Sequence, residues 1–112
     1  MRTQKQYLED ILTHIEAAER FVSGLDFEQF SEDEKTNFAV IRAFEVIGEA
    51  VKHLAPETTL LKGEVEWKGI AGFRDVLIHA YHRVILSMVW EAIWADLPVL
   101  KSAVQDLLKK AD

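Results

Sequence analysis

The sequence predicts an all-α protein: a compact five-helix bundle in which four helices form an up-and-down core and the fifth is C-terminal. Glycine and proline, which interrupt regular structure, number only five and two among the 112 residues. Apolar residues recur at the three- and four-residue spacing of a helical face, and no segment alternates apolar and polar residues for long. A chain of this length is expected to form one domain over residues 1–112.

The first two helices are predicted from capping boxes. Residues 3–6, Thr-Gln-Lys-Gln, have the S/T-x-x-E/Q form that opens a helix, and residues 23–24, Ser-Gly, are a stop signal. Between them the apolar face comprises Leu8, Ile11, Leu12, Ile15, Ala18 and Val22. Residues 31–34, Ser-Glu-Asp-Glu, form a second box that is expected to open a long helix, which the Ala-Pro pair at 55–56 ends.

The second half of the chain predicts three more helices. Residues 56–66 are polar and indicate a loop, after which a third helix begins near Trp67. Gly69 and Gly72 within that helix predict the close approach of another backbone, because glycine otherwise weakens a helix by about 1 kcal/mol relative to alanine. The fourth helix carries Val84, Ile85, Met88, Val89 and Ile93. Pro98 suits the first turn of the last helix.

Charge and composition narrow the class of protein. The net charge of −6 argues against sequence-independent nucleic-acid binding over the whole surface, although it permits one local basic site. The absence of cysteine excludes disulfides, thiolate metal centres and cysteine nucleophiles. No apolar run approaches the roughly 20 residues of a membrane span, and no secretion signal is recognised. We therefore expect a cytoplasmic protein with no membrane partner.

One segment differs in charge from the rest of the chain. Residues 67–86 contain three basic residues and one acid, a net charge of +2 on an acidic protein. Arg74, His79 and Tyr81 within it have the form R-x-x-x-x-H-x-Y. Arginine binds phosphate oxygens in pairs, histidine transfers protons near neutral pH, and tyrosine offers a hydroxyl. The triplet is suited to phosphodiester chemistry without a metal, although charge alone is equally typical of an ordinary solvated helix face.

Helical geometry places these side chains apart. At 100° per residue, Arg74 and His79 lie about 140° apart around an ideal helix, whereas Tyr81 lies about 20° from Arg74. One straight helix would not aim all three at one point. Either the helix ends or bends near His79, or a second copy of the chain completes the site.

Further residues around this motif resemble a known family. Residues 44–50, Phe-Glu-Val-Ile-Gly-Glu-Ala, precede residues 67–75, Trp-Lys-Gly-Ile-Ala-Gly-Phe-Arg-Asp, and then His79-Ala80-Tyr81. Residues 89–90, Val-Trp, and 96–98, Asp-Leu-Pro, complete the pattern. Together they resemble the HEPN superfamily and, within it, the small helical HepT-like (DUF86) proteins, over nearly the whole chain.

The resemblance implies a role for each motif residue. HepT-like proteins are toxins of two-gene toxin–antitoxin modules and act as metal-independent RNases. It implies that His79 is the general acid/base, that Arg74 stabilises the transition-state phosphate, and that Asp75 orients one of these groups. Tyr81 would be the residue that a minimal nucleotidyltransferase antitoxin adenylylates.

The same resemblance implies the partners. RNA is the expected substrate, and DNA is not an expected partner. The chain would be a homodimer with no cofactor and no metal site.

Other interpretations of the same residues stay open. His79 and His82 share a helix face, so with Glu91 or Glu49 they would be able to hold a metal, although no E-x-x-H pair is present. Glu45 and Glu49 are more typical of a solvated stripe than of a contact to the motif arginine.

The remaining aromatic and histidine residues have ordinary explanations. Trp67, Trp90 and Trp94 favour core or dimer packing over base stacking, and His14 and His53 lie on polar edges that need no function. In the alternative functional class, the protein is a non-catalytic HEPN module that binds a nucleotide or a protein.

Overall fold

The computed structural model describes residues 2–79 and 83–110, and within them the protein is all-α, with seven α-helices, one 3₁₀ turn and no strand. The long helices are α1 (Gln4–Phe21), α3 (Glu34–Lys52), α5 (Trp67–His79), α6 (Arg83–Ala95) and α7 (Leu97–Lys110). Two short helices, α2 (Phe27–Glu32) and α4 (Pro56–Thr59), and a 3₁₀ turn (Leu60–Lys62) connect them. The five predicted helices correspond to the five long ones, and the short helices are additional.

The first helix follows its prediction. The Thr3 hydroxyl accepts from the Gln6 N–H, and the Gln6 side chain accepts from the Thr3 N–H, so the capping box is complete. Gly24 has a φ of +80°, the left-handed conformation that favours glycine in the turn after a helix. The predicted apolar face supplies buried side chains to the core, among them Leu8, Ile11, Ile15, Ala18 and Val22.

The predicted second capping box is wrong. Ser31 lies inside α2 and its Oγ donates to a backbone carbonyl of that helix. Asp33 caps α3 instead, because its carboxylate accepts from the Thr36 N–H at 3.1 Å, while Asp26 and Gln29 form a capping box for α2. Hydrogen bonds from Thr36, chiefly that of its side chain, hold the pKa of Asp33 below its ordinary value. An ionised carboxylate makes a stronger, charge-assisted cap than a serine hydroxyl.

The segment before α5 is ordered by its own contacts rather than being a plain loop. The Trp67 indole N–H donates to the Lys62 carbonyl at 3.0 Å, and the Lys62 ammonium donates to the Asp106 carboxylate of α7 at 2.9 Å. This hydrogen bond raises the pKa of Lys62 and lowers the pKa of Asp106. The beginning of α5 is therefore tied to α7.

The core is built on α1, α3, α6 and α7. Its largest fully buried side chains are Phe30, Leu8, Ile11, Ile15, Ile47, Leu97, Leu100, Val22, Val40, Val89 and Val104. Of α5, only Leu77 is buried, and the helix packs mainly on α3, where Phe73 meets Phe44 edge-on with ring centroids 5.5 Å apart. Within the described residues, no helix is both long and apolar enough for a transmembrane span.

Close backbone approach occurs at Gly48, and the prediction that placed it at Gly69 and Gly72 is wrong. A Cβ atom at Gly72 would meet nothing within 4 Å, and one at Gly69 would meet only Glu66 at 3.7 Å. A Cβ atom at Gly48 would lie 2.7 Å from the Cβ of Arg74. The contact partner of α5 is on α3, which local sequence around residues 69–72 does not reveal.

Alanine at Gly48 should destabilise the protein relative to alanine at Gly72. Both substitutions gain the same helix propensity, but only Gly48→Ala forces α3 and α5 apart, at a cost of about 1–3 kcal/mol. Chemical denaturation of the two variants measures the difference in the free energy of unfolding. Equal stabilities would contradict the close packing of α3 on α5.

Candidate active site

Arg74 lies where α5 packs closely against Gly48 of α3. Its side chain is 27% exposed, and its Nε donates to Glu49 Oε1 at 3.2 Å. Its Nη1 contacts Asp75 Oδ1 at 3.3 Å. The missing side chain of Gly48 makes room for this arginine, so the residue before Glu49 permits the approach and Glu49 itself holds the guanidinium.

Both carboxylates that hold Arg74 also contact a second basic side chain. Asp75 Oδ1 lies 3.5 Å from Lys52 Nζ, and Glu49 Oε2 lies 3.1 Å from His53 Nε2. The result is a row of alternating basic and acidic side chains that extends across α5 and α3. An arginine held on two sides loses less side-chain freedom when it binds a ligand, and its remaining N–H groups stay available to an anion.

His79 is the last described residue of α5 and is exposed to solvent. Its imidazole has no hydrogen-bond partner among the residues that the structure describes. Because residues 67–79 form one helix, His79 is about 140° around the helix from Arg74 and about 7.5 Å further along its axis. Both residues belong to one uninterrupted helix, so a single α5 presents the two side chains in different directions.

The third motif residue, Tyr81, lies outside the described residues, and so does the neighbouring His82. The side chain of Arg83, the third basic residue of the +2 segment, also lies outside them. Of the three basic residues in that segment, the structure describes Lys68, which is exposed, and Arg74.

A groove of about 500 Å³ opens beside Arg74 between α1, α3 and α5, and we call it the arginine groove. Three arginines line it (Arg2, Arg42 and Arg74), with three carboxylates (Asp10, Glu45 and Glu49) and the rings of Tyr7 and His53. Asp10 contacts Arg2, and Glu45 contacts Arg42 at 3.4 Å. Each arginine is thus paired with one carboxylate of the same groove.

A second groove, of about 540 Å³, lies between the start of α5 and the α6–α7 region, and we call it the acidic groove. Its charged lining residues are Glu64, Glu66, Glu91 and Asp96, all of them carboxylates. Phe73 and Met88 contribute to its apolar lining. An anion such as RNA would be repelled from this groove, whereas the arginine groove offers it guanidinium groups.

Comparison with known proteins identifies the family. The model of the family described as "Ribonuclease HepT-like" matches residues 11–107. The chain belongs to the HepT-like family.

Similar proteins cover this HepT-like chain almost from end to end. A protein of Thermococcus cleftensis named "Probable ribonuclease HepT" is 44% identical over 96% of this chain and 98% of its own length. A protein of Caldanaerobacter subterraneus named "Putative RNase" is 42% identical over 98% of each chain. One of several relatives in Methanocaldococcus jannaschii that carry the same description is 35% identical over 94% of this chain and 87% of its own length. No solved structure matches significantly.

Two side chains near Arg74 make contacts that the sequence interpretation does not assign to them. Glu49, which the sequence assigns to a solvated stripe, contacts Arg74, and His53, to which the sequence assigns no role, contacts Glu49. The spacing of Glu49 and His53 by four residues is the signal that the sequence offers, because such pairs are neighbours on a helix. The contact to Arg74 depends on how α3 and α5 pack, which the sequence pattern does not give.

Trp90 lies in an aromatic cluster, as core packing predicts. Its ring centroid is 5.1 Å from that of Phe30, 6.0 Å from that of Phe27 and 5.4 Å from that of Trp94. The preference for packing over base stacking is therefore confirmed for this tryptophan.

The metal site considered from the sequence includes His82, which is outside the described residues. Among the residues that the structure describes, no three His, Asp or Glu side chains form a cluster able to hold a metal ion. Of the two glutamates considered for that metal site, Glu49 contacts Arg74 and His53, and Glu91 lines the acidic groove.

Glu49→Gln should loosen Arg74 without unfolding this HepT-like protein. The exposed ion pair contributes at most about 1 kcal/mol to the free energy of unfolding, but it fixes the guanidinium through Nε. We expect the NMR signal of the Arg74 Nε–H to shift and broaden. Glu45→Gln, which removes the partner of Arg42 instead, is the control, and an Arg74 signal that responds equally to both variants would contradict this positioning.

Proposed function

We propose that this chain is a HepT-like endoribonuclease that cleaves RNA without a metal ion. The observation that supports this most is the arginine of the R-x-x-x-x-H motif, held by two carboxylates at the mouth of a groove, with the motif histidine exposed on the same helix. Membership of a family described as ribonucleases supports the activity. The names of the relatives agree with it.

In the proposed reaction, the 2′-hydroxyl of RNA attacks the adjacent phosphorus. His79 accepts the proton of the 2′-hydroxyl, the bond from phosphorus to the 5′-oxygen breaks, and a protonated histidine returns a proton to that leaving oxygen. The products are a cyclic phosphate and a free 5′-hydroxyl. Arg74 stabilises the extra negative charge on the phosphate in the transition state, and Asp75 orients Arg74 through the 3.3 Å contact.

The proposed enzyme is a homodimer of a single HepT-like domain spanning residues 1–112. Arg74 and His79 point about 140° apart on one helix, so Arg74 of one copy works with His79 of a second copy. Val76, Ile78 and Met88, each 41% exposed, give α5 and α6 apolar surface for such an interface. A two-fold dimer is the commonest arrangement that closes a surface of this kind.

RNA cleavage should survive EDTA and be abolished by His79→Ala. The side chain is exposed, so its truncation should change the free energy of unfolding by no more than about 0.5 kcal/mol. The measurement is cleavage of a mixed single-stranded RNA by purified protein with and without the chelator. Activity that disappears with EDTA would overturn metal independence, and binding without cleavage would favour the non-catalytic nucleotide-binding module.

Arg74→Lys should be nearly as damaging as Arg74→Ala. Lysine keeps the positive charge but cannot bond Glu49 and a phosphate with one planar group. Losing one charge-assisted contact worth about 1.5–3 kcal/mol lowers kcat by roughly tenfold to a hundredfold. Single-turnover cleavage rates of the two variants test this, and near-wild-type cleavage by the lysine variant would mean that Arg74 supplies only diffuse charge.

The proposed biological role is the toxin of a toxin–antitoxin pair in the cytoplasm. Its partner would be a minimal nucleotidyltransferase antitoxin that transfers AMP from ATP to the Tyr81 hydroxyl and releases pyrophosphate. A nucleotide on Tyr81, seven residues after Arg74 in the sequence, would add negative charge to the motif that binds the phosphate. RNA would then be repelled from it.

Tyr81→Phe should keep RNase activity and escape the antitoxin. An ordinary tyrosine phenol stays protonated at neutral pH, so histidine is the better proton carrier for the reaction. The test is to incubate each variant with the nucleotidyltransferase and ATP and to weigh the protein by mass spectrometry. The wild type should gain the mass of AMP, and a phenylalanine variant that is still modified and silenced would place the modification elsewhere.

A further inference from the structure

We propose that the stacked rings of Tyr7 and His53 in the arginine groove form a binding site for one base of single-stranded RNA next to the cleaved phosphate. The inference rests on the proposed function, because it places in this groove the RNA strand whose phosphate Arg74 would bind. Neither ring belongs to the R-x-x-x-x-H-x-Y motif. Tyr7 comes from α1 and His53 from the end of α3, so the site joins two helices that the motif does not include.

The two rings are nearly parallel and in contact. Their centroids are 4.9 Å apart, their planes differ by 7°, and the Arg2 guanidinium carbon lies 5.1 Å from the centre of the Tyr7 ring. The His53 side chain is 49% exposed, so the ring pair is reached from solvent. Proteins that bind unpaired RNA bases stack them on such aromatic rings and on guanidinium planes.

The contents of the groove match a nucleotide rather than an uncharged ligand. Its three arginines line the same groove as the ring pair, and each is held by a carboxylate through part of its five N–H donors. A phosphate reaches Arg74 from the same groove in which a base reaches His53, since both side chains bond to Glu49. The volume of about 500 Å³ is within the range of ordinary small-ligand sites.

His53 can act in two ways, and two variants separate them. His53→Gln keeps a side-chain N–H for Glu49 but removes the ring, whereas His53→Tyr keeps a ring but removes the donor position that meets Glu49 at 3.1 Å. If the ring binds a base, the glutamine variant is the damaged one. If His53 only positions Glu49 and Arg74, the tyrosine variant is the damaged one.

The experiment measures binding and cleavage separately. Binding uses a fluorescent RNA of about ten nucleotides that carries 2′-O-methyl groups throughout and therefore cannot be cleaved through the 2′-oxygen. We expect His53→Gln to weaken this binding, and to raise KM for cleavable RNA, by about 5- to 50-fold with kcat nearly unchanged. His53→Tyr should bind within about twofold of the wild type. His14→Gln is the matched control, because His14 bonds a carbonyl of its own helix and does not line the groove.

The outcomes distinguish this site from the proposed activity. Binding that is lost in His53→Gln and retained in His53→Tyr supports the base site, even if the wild type cleaves nothing. Equal binding by His53→Gln and the wild type, or no binding by the wild type at millimolar protein, overturns the base site while leaving cleavage by Arg74 and His79 intact. Loss confined to His53→Tyr also overturns it and assigns His53 a positioning role.

Discussion

The close contact between α3 and α5 at Gly48 is the constraint on which the site depends. No side chain fits there, because a Cβ atom would lie 2.7 Å from that of Arg74. Because Gly48 has no side chain, α5 packs on α3 and through it against the core, although Leu77 is its only buried residue. The residue after Gly48 then reaches the guanidinium of Arg74. One glycine thus sets the distance at which a charged pair forms and opens the arginine groove beside it.

The distribution of charge is compatible with the anionic substrate that we propose for this acidic chain. The protein carries a net charge of −6, and the acidic groove contains only carboxylates among its charged lining residues. The arginine groove balances three arginines with three carboxylates, which orient the guanidinium groups without blocking all of their donors. Such an arrangement favours binding where geometry matches a nucleotide strand and gives little attraction elsewhere, since exposed charges are screened within about 10 Å.

The sequence predicts the features that depend on neighbouring residues, but it does not predict those that depend on packing between helices. The capping box of residues 3–6, the turn at Gly24 and the beginning of α5 are local, and all three are confirmed. The contact at Gly48 joins residues 26 positions apart, so no local pattern distinguishes this glycine from the two in α5. The contact between Glu49 and Arg74 follows from that packing, so no local pattern predicts it. The contact between Glu49 and His53 is different, because the two residues are neighbours four positions apart along one helix.

We propose above that two copies of the chain share one site, with Arg74 from one copy and His79 from the other. Mixing two inactive variants tests this proposal most directly. Arg74→Ala and His79→Ala are unfolded and refolded together, and RNA cleavage is measured. Random pairing gives mixed dimers in which one of two sites keeps both residues, so we expect about a quarter of wild-type activity. Inactivity of the refolded mixture, with mixed dimers present by mass spectrometry, would contradict a site shared between copies.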